Sequence, residues 1–542
     1  MNINSIGMTL LIVGSFLFSA KAQKKSNPIE RPSLVVCVVV DQMRYDFLTR
    51  YWDTYGEGGF KRLANEGFEF QRTYFNYFPT KTGPGHASIA TGTTPALNGS
   101  VGNDWYDRDL KRNVYVVEDP SVEGIGSANP DNKRSPKNLQ SSTLADQIRL
   151  ATNFRSKSIG ISIKDRGAIL TAGHSGNGAY WFDEKSGDWV TSSYYMDELP
   201  KWVQRFNSNK KRLDSLKSLT WTPLLGKTEA YIESTGDNQP WEESLNKNAA
   251  PVFPYVLSEI AKTDYSVIPN TPWGNWLTTQ LALDALQAEN LGKDGTTDFL
   301  SISYSSTDKV GHAYGPYSIE NQDTYLRLDQ ELSTLLAALD KQVGKNQYLL
   351  FLTADHGIMD NPVFLRSRKL TGGIYKPGAL NETLKSTFGT DSIISKFINM
   401  QYYLNHDQLI RKKITRKQVF DVMQTTLMKA ESVLDVFDFS DPMAFNNRFL
   451  LPYFQNGYYA KRSGDIQVVL KPGYSDDKNE MGTNHTSTYS YDTHIPLLFY
   501  GWKVPKGKSS KDANITDIAP TISNMLQILE PNASTGRVLE FK

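Results

Sequence analysis

The sequence predicts an α/β fold with an open, doubly wound, mostly parallel central sheet. Three observations carry this. Four short apolar runs, 34–40 (LVVCVVV), 158–163 (SIGISI), 299–304 (FLSISY) and 348–353 (YLLFLT), read as strands buried on both faces. Helical patterns lie between them, the alternation of parallel α/β folds. Charged residues follow each run closely, at the edge where open α/β sheets bind ligands.

Residues 8–20 (MTLLIVGSFLFSA) form an apolar run too short to span a bilayer, ending in the small-x-small pattern Ala20-Lys21-Ala22. This reads as a signal peptide over 1–22, with the catalytic domain over 23–542. The expected mature chain is periplasmic or secreted, and no later stretch suits a stable membrane span. Helices are expected at 59–66, 141–151, 278–289 and 324–339. A strand at 496–500 and a closing helix at 515–529 complete the sheet. Two stretches break the alternation. Residues 186–270 are rich in Trp, Lys and Pro, and residues 362–472 carry helical patterns such as 416–429 without strands. Both are expected to be helical or irregular insertions that decorate the sheet and form a cap.

Composition excludes several classes. The 542 residues suit about three domain-sized units or one large domain with insertions. Aromatics at 12% exclude global disorder. The 59 basic residues against 58 acidic lack the excess of a dedicated nucleic-acid binder. The one cysteine, Cys37, excludes an internal disulfide and any multi-cysteine metal site. It sits inside a strand and reads as a small core residue. Any metal must therefore be held by His and carboxylate.

The strand ends carry the chemistry. The first run ends in Asp41, and the third leads to Asp308 and His312. The fourth leads to Asp355 and His356, and the second to Lys164 and Arg166. Alone, each has a simpler reading: a helix cap, a surface pair or a turn. Together they gather carboxylates with little counter-charge, which is costly unless a cation is bound. Imidazole and carboxylate suit zinc, and five such groups exceed one tetrahedral ion, which implies two metals. In the segment PTKTGPGHAS, Pro84 suits a first helical turn, which puts Thr82 at a helix N-terminus that favours anions. A hydroxyl activated there by a metal is a nucleophile; in isolation the same Thr is an ordinary cap. Asn103 offers an amide to a phosphoryl oxygen, or is a turn residue. His86 reads as a packed or hydrogen-bonded histidine.

The motifs VVVDQMR, PTKTGPGHASIATG, GNDWYD, SIKDRGAIL, SSTDKVGHAYG, LTADHG and NHTSTYSYDTHIPLLFYG together resemble the alkaline phosphatase superfamily. The likeness is greatest to the phosphate-irrepressible, PafA-type bacterial phosphomonoesterases. It implies that Asp41, Asp355 and His356 ligate one zinc, which also binds the Thr82 oxygen. It implies that Asp308, His312 and His485 ligate a second, with His494 the competing choice for His485. Thr82 would be the nucleophile, through a phosphothreonine, and Asn103, Lys164 and Arg166 would hold the phosphoryl oxygens. The implied activity is hydrolysis of phosphate monoesters with broad specificity, in a scheme compatible with a monomer.

Two rivals remain. A phosphodiesterase of the same superfamily would share Thr82 and Asn103, but Lys164 and Arg166 favour a dianionic monoester. A secreted non-catalytic protein with structural zinc would need closed, four-ligand sites, whereas three ligands per metal leave a position open. A sulfatase is set aside because Thr82-Gly83-Pro84 lacks its Cys- or Ser-x-Pro-x-Arg motif.

Overall fold

The computed structural model describes residues 29–246, 249–260 and 265–542. The expected signal peptide lies outside them. Pro32–Lys542 forms a unit built on an eleven-stranded sheet. Its strands are β1 Leu34–Val40, β2 Phe68–Tyr74, β3 Gly124–Ile125, β4 Ser158–Ser162, β5 Gly178–Asp183, β6 Asp188–Ser192, β7 Asp298–Tyr304, β8 Tyr348–Thr353, β9 His494–Ile495, β10 Leu497–Gly501 and β11 Gly507–Asn514. Their order is β9-β2-β10-β8-β1-β7-β4-β5-β6-β3, with β11 also on β2.

The centre, β8-β1-β7-β4-β5, is parallel, as the apolar runs predict. The register aligns its carboxyl ends. Val40 pairs with Tyr304, Val39 with Thr353 and Ser303 with Ser162. The segments that follow β1, β4, β7 and β8 therefore leave the sheet level with one another. The strands next to this centre run antiparallel to it, β10 on β8 and β6 on β5. An apolar run buries the same way in either direction, so this reversal has no sequence signal.

β1 is buried along its whole length. Each such apolar side chain contributes about 1.5–3 kcal/mol of transfer free energy. Five helices matter for the site: α1 Thr82–Thr91, α2 Asp165–Ala172, α3 Trp273–Ala288, α4 Ser306–Tyr314 and α5 Ile319–Gln342. α5 begins where the Ser318 hydroxyl accepts a hydrogen bond from the Asn321 N–H. Its Leu328, Leu332, Leu335 and Leu339 are buried at helical spacing in the main core.

The two stretches outside the alternation differ from each other. In 186–270, β6 extends the main sheet, and Trp202, Phe206, Trp221 and Tyr255 join the main core. The stretch 362–472 has its own core around Met423, Leu427, Val436 and Phe454. Beside its helices it holds a four-stranded antiparallel sheet of Ile394–Ile398, Gln401–Leu404, Ile466–Leu470 and Val433–Asp438. The sequence reading expected no strands there, because these short runs carry little periodic signal beside the longer helical ones.

Candidate active site

The level strand ends bring Asp41, Lys164, Asp308, Asp355 and His356 together with Thr82 of α1. Asp41, Thr82, Asp355 and His356 are at most 1% exposed. α1 starts at Thr82, after Lys81 in extended conformation, and has no acidic residue in its first turn. The positive end of its dipole is thus left uncompensated by its own side chains. Gly85 lets α1 approach the strand edge, since a Cβ there would lie 2.1 Å from the Asp355 carbonyl oxygen. His86 fixes α1 from beneath, with Nδ1 donating to the Thr82 carbonyl at 2.9 Å and Nε2 at 2.9 Å from Ser303 Oγ.

The Thr82 hydroxyl oxygen is 3.4 Å from His356 Nε2, 3.4 Å from Arg166 Nη2 and 3.5 Å from Lys164 Nζ. Asn103 Oδ1 accepts the Gly83 N–H at 2.7 Å, which leaves the Asn103 amide hydrogens for another acceptor. The loop is braced from the 362–472 stretch, where Asn399 Nδ2 donates to the Asp104 carbonyl at 2.8 Å.

Two groups of ligand-type atoms lie behind the hydroxyl. Asp308, His312 and His485 offer donors within 4.8 Å of one another, and so do Asp41, Asp308 and His356. Asp308 therefore stands in both, whereas the sequence reading placed it in one. Asp355 Oδ2 is 3.6 Å from His356 Nε2, beside Asp41 Oδ1, also at 3.6 Å. All three histidines use Nδ1 on a backbone carbonyl: His312 on Thr483 at 2.7 Å, His356 on Gly357 at 2.9 Å and His485 on Thr80 at 2.6 Å. This fixes the tautomer that turns the Nε2 lone pair inward, as a carbonyl on the other ring nitrogen does for metal-binding histidines. His494 lies elsewhere, stacked between Tyr45 and Tyr74 with Nε2 on the Gln71 carbonyl.

The charge balance agrees with a cation site. Asp41 Oδ1 and Asp355 Oδ2 are buried and accept no hydrogen bond from the described residues. His86 Nδ1, 3.3 Å from the latter, is spent on the Thr82 carbonyl. Burial, with Asp308 and Asp355 nearby, pushes the Asp41 carboxyl well above its ordinary range. Burial pushes the His356 imidazole down to about 4 despite the carboxylates around it. The neutral His356 imidazole, beside crowded carboxylates with orphan oxygens, is the kind of donor set that divalent zinc takes.

Two features were not foreseen. Lys164 Nζ is 2.7 Å from Asp41 Oδ2 and 2.6 Å from Asp308 Oδ2, so it supplies counter-charge to the carboxylates as well as facing Thr82. Gln42, held at φ 69°, donates Nε2 to Asp308 Oδ1 at 2.9 Å and its backbone N–H to Asp355 Oδ1 at 3.1 Å. The only signal for Gln42 was its position just past β1. A cavity of about 470 Å³ opens beside Lys164 and Arg166, lined also by Arg134, Trp181, Glu184 and Lys309.

Residues 35–494 match the family described as Type I phosphodiesterase / nucleotide pyrophosphatase. The chain is 44% identical to alkaline phosphatase PafA of Elizabethkingia meningoseptica over 525 residues, 95% of each chain. It is 43% identical to a protein of Myroides odoratus named a calcium-transporting ATPase, over 97% of this chain and 96% of that one. The crystal structure of wild-type PafA superposes with a TM-score of 0.92, covering 95% of this chain and 99% of the other. Fold, site and sequence agree that the chain belongs to the Type I phosphodiesterase / nucleotide pyrophosphatase family, within the alkaline phosphatase superfamily.

Proposed function

We propose that this chain is an exported alkaline phosphatase that hydrolyses phosphate monoesters through a phosphothreonine on Thr82. The observation that carries the reading is the Thr82 hydroxyl, ringed at 3.4–3.5 Å by His356, Lys164 and Arg166. Its likeness to PafA, an alkaline phosphatase by name, supports the same reading. Asp41, Asp355 and His356, with Thr82, would hold one zinc and Asp308, His312 and His485 a second, with Asp308 close enough to serve both. When bound, such a pair supplies Lewis-acid charge at the attacking and leaving oxygens of an in-line displacement.

The chain's own residues do the rest. α1 presents the Thr82 oxygen at a helix N-terminus, where negative charge is favoured. That oxygen attacks phosphorus, the ester oxygen leaves, and water then cleaves the phosphothreonine. Lys164 and Arg166 face the same point and neutralise the phosphoryl oxygens, over which charge spreads in the transition state. Asn103 adds an oriented N–H donor, because its oxygen is tied to Gly83. A monoester dianion gains more from two cations than a diester monoanion does, which favours the monoesterase over the diesterase that the family description names. The terminal phosphoryl group of a nucleoside triphosphate is likewise a dianion, so it fits the same site. The export signal over residues 1–22 and a periplasmic location belong to the same proposal. Among the described residues no helix is long and apolar enough to cross a membrane.

The test is acid-quenched turnover followed by mass spectrometry of the Thr82 peptide. Phosphate on Thr82 in the wild type, and none in a folded, metal-replete Thr82→Ala variant, is expected. A phosphorylated residue elsewhere in that variant would overturn the assignment.

A further inference from the structure

Arg166 has no carboxylate within ion-pair distance among the described residues, although its guanidinium faces the nucleophile. Its Nη2 points at Thr82 Oγ1, and its Nε is buried without a hydrogen-bond partner among the described residues. The contact that fixes it is neutral: Nη1 donates to the Tyr115 hydroxyl at 3.0 Å. That hydroxyl donates in turn to Asp165 Oδ1 at 2.5 Å. The other Asp165 oxygen is taken by Arg134 Nε at 2.8 Å, and the Arg134 guanidinium lies 4.6 Å over the Tyr115 ring. The Asp165 charge is thus absorbed by Arg134, and the phenol carries geometry to Arg166 without neutralising it.

Tyr115 closes a hairpin in which Asp104–Asp107 pairs with Arg112–Tyr115, Asp104 directly opposite Tyr115. The next pair outward joins the Val116 N–H to the Asn103 carbonyl at 2.8 Å. One end of the hairpin therefore carries Asn103, bound to Gly83 of α1, and Tyr115, bound to Arg166 of α2. We propose that Tyr115 is a positioning residue for Arg166, and that this hairpin aligns Asn103 and Arg166 as one unit on the transferred phosphoryl group. The inference rests on the phosphomonoesterase reading and extends it.

The test is a double-mutant cycle of Tyr115→Phe and Arg166→Ala, read with an aryl phosphate monoester, its methyl diester and inorganic phosphate as inhibitor. Loss of a hydrogen bond to a charged group predicts that Tyr115→Phe lowers monoester kcat/KM about tenfold and weakens phosphate inhibition in parallel. Diester turnover falls by less than about threefold, and in the Arg166→Ala background the Tyr115 substitution changes monoester turnover by less than about twofold. If Tyr115→Phe does not fold, Asp165→Asn keeps the ring and weakens its anchor, with the same direction expected. An equal loss in both backgrounds, or equal loss of monoester and diester, overturns the inference. An Arg166→Ala variant with undiminished monoester turnover would instead overturn the underlying reading.

Discussion

Lys164 stands between two carboxylates and the Thr82 hydroxyl, and one substitution tests the first of these contacts. Its ammonium bridges Asp41 at 2.7 Å and Asp308 at 2.6 Å, with side-chain exposures of 9%, 0% and 6%. Lys164→Met keeps the stem and removes the charge. Without metal, the variant leaves two buried carboxylates without their shared cation, and breaking a buried pair in this way costs about 3–5 kcal/mol. For a unit of about 500 residues, an unfolding entropy of about 2.1 cal/mol/K per residue turns this into a Tm loss of about 3–5 °C. With zinc bound, the metal supplies the missing positive charge, so less than half of that loss is expected. The assay is thermal unfolding of both proteins, with chelator and with saturating zinc. An equal Tm loss in the two conditions would refute the reasoning, because it would mean that Lys164 and the metals do not share the same carboxylates.

Two more predictions follow from the same geometry. His485→Ala should lower bound zinc, counted by elemental analysis, while His494→Ala should leave the count unchanged; the reverse would exchange their roles. Away from the site, burial pushes the Glu242 carboxyl up to about 8, with Asp237 adding to the effect. A raised carboxyl contributes stability that is complete below its unfolded pKa of about 4.5 and is lost as pH rises through about 8. Glu242→Gln should flatten that decline, and unfolding free energy measured from pH 5 to 9 checks it; parallel curves for the two proteins would contradict the assignment.

How much of this was readable in the sequence depended on local signal. β1, β4, β7 and β8 announce themselves, because strands buried on both faces are continuously apolar, and the groups just past their ends fall where the fold class puts a site. Pro84 and the small residues after it mark Thr82 as a helix N-terminus, and only the family resemblance sets it above an ordinary cap. What failed to show was set by tertiary contact. Gln42 is a polar residue in a left-handed turn, with nothing in its neighbours to say that it spans Asp308 and Asp355. Tyr115 sits 51 positions from Arg166, and only the hairpin brings them together. The strands of the 362–472 stretch, among them QYYL and IQVVL, are too short to outweigh the helical patterns around them. The choice of His485 over His494 came from a resemblance and from the strand beside His494; in the structure His494 itself forms part of β9.

The central claim is that Lys164 and Arg166, set around the Thr82 hydroxyl, make this a site for a phosphoryl dianion. The most direct test is kcat/KM for an aryl phosphate monoester and its methyl diester on one zinc-loaded sample, with bound zinc counted in the same tube. The account predicts preference for the monoester with two zinc ions per chain. Preference for the diester on the same loaded protein would contradict it, leaving Thr82 and the metal ligands in place but removing the two cations from the role assigned to them.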